Sequence, residues 1–234
     1  MVAWLLRCTV AAVVMVGLVA CDDGTAPPAG LIKAHDFEAA VRAGETQAVL
    51  GYIAYHGCDQ RIDKLPLLTK IVEHGSPELL RAALDAGCDP DGAEPNETYV
   101  LRPIIVALSQ DDIAGLEMLL SAGADPDPPG GMSSMMTAAA SSDPGKMVDR
   151  LLAEGVPISG QDVGVLVRTG MIERLQILLD RGGSLHDAGR LFEPYRQIEQ
   201  LAKEDPEQAE RMREFVDAWF EANPEPGATG GPGG

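Results

Sequence analysis

The feature that most constrains this chain is a segment that recurs. Gly75 is followed by Ser-Pro-Glu-Leu-Leu-Arg-Ala-Ala-Leu-Asp-Ala and then by Gly87-Cys88-Asp89-Pro90-Asp91. Asp111 is followed, without a gap in the alignment, by Asp-Ile-Ala-Gly-Leu-Glu-Met-Leu-Leu-Ser-Ala and then by Gly123-Ala124-Asp125-Pro126-Asp127. Two weaker copies run from Asp143 to Gly155-Val156-Pro157 and from Gly170 to Gly182-Gly183-Ser184. In all four the interval to the closing Gly is 12 residues, and an earlier copy, Gly44 to Gly57 with Cys58-Asp59, is one residue longer. A unit this short cannot bury its apolar face alone. It buries that face against the next copy, so a recurring segment of this size predicts a stack of repeats.

Each copy predicts a helix of about ten residues with its apolar stripe at the i, i+3, i+4 positions. Leu80, Ala83 and Leu84 show this spacing, as do Leu116, Leu119 and Leu120. The Gly that follows is the expected left-handed stop, and Pro90 and Pro126 forbid the helix from restarting. A second short helix precedes each copy, at Leu67 to His74, Pro103 to Gln110, Met135 to Ser142 and Gln161 to Thr169. The unit is therefore helix, tight turn, helix, irregular excursion. Aromatic residues make up only 4% of the chain, so the core is built from Leu, Ile, Val, Met and Ala, a palette suited to closely packed short helices.

This unit resembles the ankyrin repeat. The family pattern runs Thr-Pro-Leu-His, Ala-Ala, Gly, Leu-Leu, Gly-Ala-Asp. Arg102-Pro103-Ile104-Ile105-Val106-Ala107 matches its first part, with Arg and Ile in place of Thr and His. Ser134-Met135-Met136-Thr137-Ala138-Ala139-Ala140 matches it more loosely, and Leu119-Leu120-Ser121-Ala122-Gly123-Ala124-Asp125 matches the second part almost completely. The resemblance covers Asp36 to Asp187, and the intervals between turn positions are 36, 32 and 27 residues, against a family period of about 33. The box His is absent throughout, which puts the family's usual hydrogen bonds between neighbouring turns in question, and the last repeat is short enough to lack its finger. The resemblance implies an all-α, ankyrin-like solenoid of about five units over 31–190, with a helical C-terminal cap over 191–222.

The ends read differently. Asp36 is placed as N-cap of a first helix running to Ala43. Pro194 to Lys203 and Pro206 to Glu221 form two cap helices, with Asp205-Pro206 as cap and first-turn proline. Phe215, Val216, Trp219 and Phe220 are expected to lie against the last repeat. The Pro- and Gly-rich tail, 223–234, is expected to be disordered.

Residues 1–20 read as an export signal. Arg7 precedes an uncharged apolar run from Val10 to Ala20, too short for a comfortable span. Counting from Val2 leaves a retained helix interrupted by Arg7 as the alternative. Leu18-Val19-Ala20-Cys21 resembles the lipobox of bacterial lipoproteins, which implies cleavage before Cys21 and lipid on that residue, followed by a short linker over 21–30. Asp22 and Asp23 resemble an inner-membrane retention signal, but sorting rules differ between bacteria and the choice of membrane stays open. The localisation implied is the bacterial envelope, facing the periplasm. Cleavage removes one Arg and no acid, taking the net charge from −18 to −19.

That acidity repels a phosphate backbone, so nucleic acid is not an expected partner. It favours a basic protein through electrostatic steering. No metal-ligand spacing, phosphate loop or nucleophile elbow is present, and neither an enzyme nor a cofactor is expected. The candidate partner-binding surface is the excursion with its acids Asp89, Asp91, Glu94 and Glu97, its Tyr99 and Arg102, and the Met-rich stretch Met132, Met135 and Met136. Tyr and Arg are frequent interface anchors and Met adapts to varied surfaces. Cys58 and Cys88 occupy equivalent places in adjacent copies. Such places are about 10 Å apart in stacked helices, whereas a disulfide needs Cα atoms within about 7 Å. Two small buried residues are therefore expected rather than a bridge. The functional reading is a monomeric, non-enzymatic scaffold or inhibitor of a protein partner, tethered through Cys21. The alternatives are an immunity-type protein neutralising a toxic effector and a structural envelope lipoprotein.

Overall fold

The computed structural model describes residues 28–92, 101–128 and 133–225. The export signal, Cys21 and most of the linker lie outside them, as does the tail from 226. Helices follow one another in pairs: α1 (Ala34–Arg42) with α2 (Thr46–His56), α3 (Leu67–His74) with α4 (Pro77–Asp85), and α5 (Pro103–Ser109) with α6 (Ile113–Ser121). Then come α7 (Ser134–Ala140) with α8 (Pro144–Ala153), and α9 (Gly160–Arg168) with α10 (Ile172–Leu179). A final hairpin joins α11 (Pro194–Glu204) to α12 (Pro206–Ala222). First helices pack on first helices, α1 on α3, α3 on α5 and α5 on α7, while α7 meets α10 and α9 meets α11, which makes the chain a solenoid.

Local chemistry sets the ends of these helices. Ser76, Asp112, Asp143 and Asp205 each accept a backbone N–H in the first turn of the helix they cap, and Pro77, Pro144 and Pro206 take first-turn positions where no N–H is needed. At the other end Gly87, Gly123, Gly155 and Gly182 all have positive φ. The residue after each returns its N–H to a carbonyl five residues back: Cys88 to Ala83, Ala124 to Leu119, Val156 to Leu151, Gly183 to Leu178. One Schellman stop thus recurs in four copies. The buried pairs Leu80 and Ala83, Leu116 and Leu119, Val148 and Leu151, Leu175 and Leu178 hold the same register in their copies and form one continuous core with the first helices. Fully burying one such leucine stabilises the fold by roughly 1.5–3 kcal/mol.

Several expectations are corrected. Lys33, not Asp36, is the N-cap of α1, and Asp36 lies inside the first turn. The all-α stack also carries a finger with two-residue strands, β1 (Arg61–Ile62) and β2 (Leu65–Pro66), paired antiparallel. Asp63 and Lys64 at its tip both have positive φ, the conformation of a type I′ hairpin turn. Strands this short show no alternation to read, and Asp-Lys is not a turn pair that announces itself.

The larger correction concerns Cys58 and Cys88, which form a disulfide with Cα atoms 5.1 Å apart. The extra residue in the first copy accounts for it. Gly57 caps α2 through a single bond from its N–H to the Ile53 carbonyl, and Cys58 lacks the backbone bond that pins Cys88 to Ala83. Freed from the shared register, Cys58 reaches its counterpart.

The C-terminal cap is as expected in outline. Asp205 caps α12, Val216 is buried, and Gln208 donates to the Gly170 carbonyl of the last repeat. Trp219 and Phe220 pack on His186, with ring centroids 5.2 and 5.1 Å away. His186 belongs to a short 3-10 turn, Leu185–Ala188, that stands after the last repeat where a finger would be.

Candidate partner-binding edge

The repeated Asp-Pro-Asp segments place carboxylates along the finger side of the stack. Asp89 accepts the N–H of Asp91 at 3.0 Å, and Asp125 accepts that of Asp127 at 3.0 Å, so one aspartate turn appears in two successive copies. The copies are then tied together. Asp91 accepts the N–H of Asp125 at 2.8 Å, Asp127 accepts that of Ser134 at 3.4 Å, and Ser133 donates to Asp162 at 2.6 Å. The result is a ladder of carboxylates that climbs from finger to finger through Asp89, Asp91, Asp125 and Asp127, with buried Asp162 of α9 tied beneath it through Ser133.

Crowding has an electrostatic consequence. Burial first, then the charges of Asp89 and Asp125, push the Asp91 carboxyl above its ordinary value against the opposing Asp125 N–H and the Arg102 charge. Asp127 is an exposed residue whose carboxyl reaches the N–H of fully buried Ser134. Burial raises it too, with the charges of Asp162 and Asp125 acting in the same direction. A cation brought to this edge removes part of that repulsion.

The structure sorts the expected site residues. Asp89, Asp91 and Arg102 come together, but Arg102 is only 3% exposed and backs Asp91 instead of presenting itself to a partner. Met135 is 1% exposed. It occupies the second position of α7, whose neighbours pack into the core, and it is corrected from surface to interior. Met136 is half-buried against that core. Glu94, Glu97, Tyr99 and Met132 lie outside the described residues, as does Cys21. Asp125 and Asp127 join the edge without having been singled out for it, while Asp162 is buried beneath it. Their signal was in the sequence, since Gly-Ala-Asp-Pro-Asp repeats Gly-Cys-Asp-Pro-Asp, yet it reads in isolation as solvated loop. Among the described residues no group of three or more His, Cys, Asp or Glu is placed to hold a metal ion.

The missing box His is compensated. Asp162 stands at the box His position of its repeat and is nearly fully buried. One oxygen accepts both the N–H and the hydroxyl of Ser159 at 2.9 and 2.6 Å, while the other takes the Ser133 hydroxyl of the preceding repeat. Thr69 donates to the Leu101 carbonyl at 3.0 Å, and Gln110 to the Glu73 carbonyl at 3.0 Å. Bonds between neighbouring turns therefore exist, made by other residues.

Two further surface features flank this edge. On the first helices Glu38, Arg42, Lys70, Glu73 and His74 form one charge cluster. The Arg42 guanidinium and then the Lys70 ammonium hold the Glu38 carboxyl at about 2. On the opposite side an open groove of about 530 Å³ runs between α4 and α6, floored by Leu84, Ala114 and Met118 and edged by Arg81, Asp85 and Glu117. Between α8 and α10 the corresponding place is crossed by Arg181, which binds Asp149 at 2.5 Å. In the earlier pair the residues in register with these are Ala122 and Arg81, which cannot form that bridge.

Comparison with known proteins supports the fold only. No family model matches the chain, and no curated protein matches it by sequence. Among solved structures, the human ASB11 ankyrin repeat domain is 20% identical with a TM-score of 0.50, covering 64% of this chain and 70% of that one. The ankyrin repeat domain of Bcl-3, described as a unique member of the IkappaB protein family, is 20% identical with a TM-score of 0.52, covering 79% of this chain and 88% of that one. The likeness is one of overall fold, and the fold of the chain is an all-α, ankyrin-repeat solenoid.

Proposed function

We propose that this chain is a non-enzymatic protein-binding solenoid that docks a basic segment of a protein partner on its carboxylate edge, as scaffold or inhibitor, while lipid on Cys21 holds it at a bacterial envelope. The observation that carries the binding reading is the ladder of Asp89, Asp91, Asp125 and Asp127, in which two carboxyls are held above their ordinary values. Lys and Arg side chains complement this charge, speed encounter and make association salt-dependent. Large exposed apolar side chains are few among the described residues, Tyr55, Met171 and Leu191, and they are scattered over different elements. Among the described residues, then, these scattered side chains do not compete with the edge as a recognition surface.

The Cys58–Cys88 disulfide supports the exported half of the proposal, because such bonds persist in oxidising compartments and are rare in reducing ones. The test is affinity capture from solubilised membranes with the wild-type chain and with Asp91→Asn/Asp127→Asn. One stoichiometric partner, captured at low salt and lost in the double variant, is the expected result. Capture that is indifferent to both changes refutes the edge. Cys21→Ala is expected to release the chain from the membrane fraction, and continued retention refutes the lipid anchor.

A further inference from the structure

The disulfide does more than join two equivalent residues. Cys58 stands at the root of the first finger, directly before Asp59 to Pro66, and Cys88 stands at the root of the second, directly before Asp89 and Asp91. The bridge therefore sets the distance between successive finger roots on the side where the carboxylate ladder begins. It also closes a loop of 30 residues that contains the β1–β2 finger, α3 and α4. In a solenoid each repeat is held only by its neighbours, so the terminal pair of repeats is the part that opens first. Here that part leads into the edge: if α4 opens, Asp91 loses its place under the Asp125 N–H.

We propose that Cys58–Cys88 is a redox-sensitive brace, which keeps α1 to α4 closed and the first rung of the acidic edge in register when oxidised and releases both when reduced. The two sulfurs differ in access. Cys58 is half-buried and Cys88 is only 3% exposed. A thiolate of a dithiol reductant attacks the Cys58 sulfur, the S–S bond breaks, and Cys88 leaves as a thiolate that takes up a proton. The second thiol of the reductant then displaces the Cys58 sulfur, which is protonated in turn. The protein gains two electrons and two protons, and the reductant becomes a disulfide. Releasing a loop of this length raises the opening equilibrium of the braced segment by roughly two to three orders of magnitude.

The binding consequence rests on the edge proposed above, and the test separates the two. Hydrogen exchange is followed by mass spectrometry on the full chain, oxidised and after reduction by dithiothreitol, with the two-proton mass gain confirming reduction. Amides of α1 to α4 are expected to exchange roughly a hundred-fold or more faster, while those of α7 to α12 stay unchanged. Unchanged exchange in the verified reduced protein overturns the brace, and so does global loss of helical circular dichroism, which makes the bond a requirement of the whole fold. Cys58→Ser is expected to reproduce the reduced pattern and to be insensitive to dithiothreitol; a variant that exchanges like the oxidised wild type overturns the proposal as well. Oligolysine binding is measured on the same samples. Binding to oxidised protein that weakens on reduction supports both readings. Absence of binding to the oxidised protein counts against the basic-partner edge and leaves the exchange result to decide the brace. Binding that is equal in both states, alongside faster exchange, removes the link between brace and edge.

Discussion

Asp162→Ala tests how this stack replaces the missing box histidine. The carboxylate is 2% exposed and takes three hydrogen bonds, from the Ser159 N–H at 2.9 Å, the Ser159 hydroxyl at 2.6 Å and the Ser133 hydroxyl at 2.6 Å. Removing it dissolves the capping box of α9, worth about 1 kcal/mol. It also takes away the acceptor of two part-buried hydroxyls, each costing about 1–3 kcal/mol if no other partner is found. Against this, the variant no longer desolvates a charge, which offsets part of the loss. A net cost of roughly 2–4 kcal/mol is expected, a fall in Tm of roughly 4–16 °C for a chain of this size. Thermal melts by circular dichroism give the total, and exchange protection in α7 and α9 locates it. A double-mutant cycle with Ser133→Ala should show coupling above about 0.5 kcal/mol, because the pair spans two repeats. A loss below about 1 kcal/mol, or additive single variants, would refute the view that this serine–aspartate chain joins the repeats.

Three further outcomes follow from the same geometry. Leu116→Ala, at a fully buried position in the central copy, should cost roughly 3–5 kcal/mol in denaturant melts, and a loss near zero would mean that the stack collapses into the cavity. Gly160→Ala should destabilise the junction of α9 and the 3-10 turn by roughly 1–3 kcal/mol, because an added Cβ meets the Asp187 carbonyl and comes within 2.7 Å of the Ala188 Cα; faster exchange at 185–188 is the readout. Acid titration should act in opposite senses at two places. Glu38 is held at about 2, so its stabilisation is present above its ordinary value near 4.5 and is lost as the pH falls from there towards 2. Asp91 and Asp127 are raised, so their ionised forms weigh against the fold and protonation on acidification relieves them. Carboxyl chemical shifts of the three residues against pH check both directions.

The positions of the helices could be read closely from the chain because their ends depend on near neighbours. Ser76-Pro77, Asp143-Pro144 and Asp205-Pro206 start helices, and Gly87, Gly123 and Gly155 stop them, through bonds that reach no further than about five residues. The apolar register of Leu116 and Leu119 is equally local, since one turn of helix sets which residues share a face. The finger escaped because two-residue strands carry no period.

By itself, then, the sequence determined the number of units, their helices, their stops and the acidic character of the excursions. Tertiary structure decided what depends on residues about one repeat apart. It buried Met135 and Arg102, joined Asp91 to the Asp125 N–H and Ser133 to Asp162, and brought Cys58 to within 5.1 Å of Cys88. The physical reason is that stacking sets those distances through the summed geometry of two helices and a turn. One inserted residue, as between Gly44 and Gly57, shifts a side chain from one alignment to another while leaving every local signal intact.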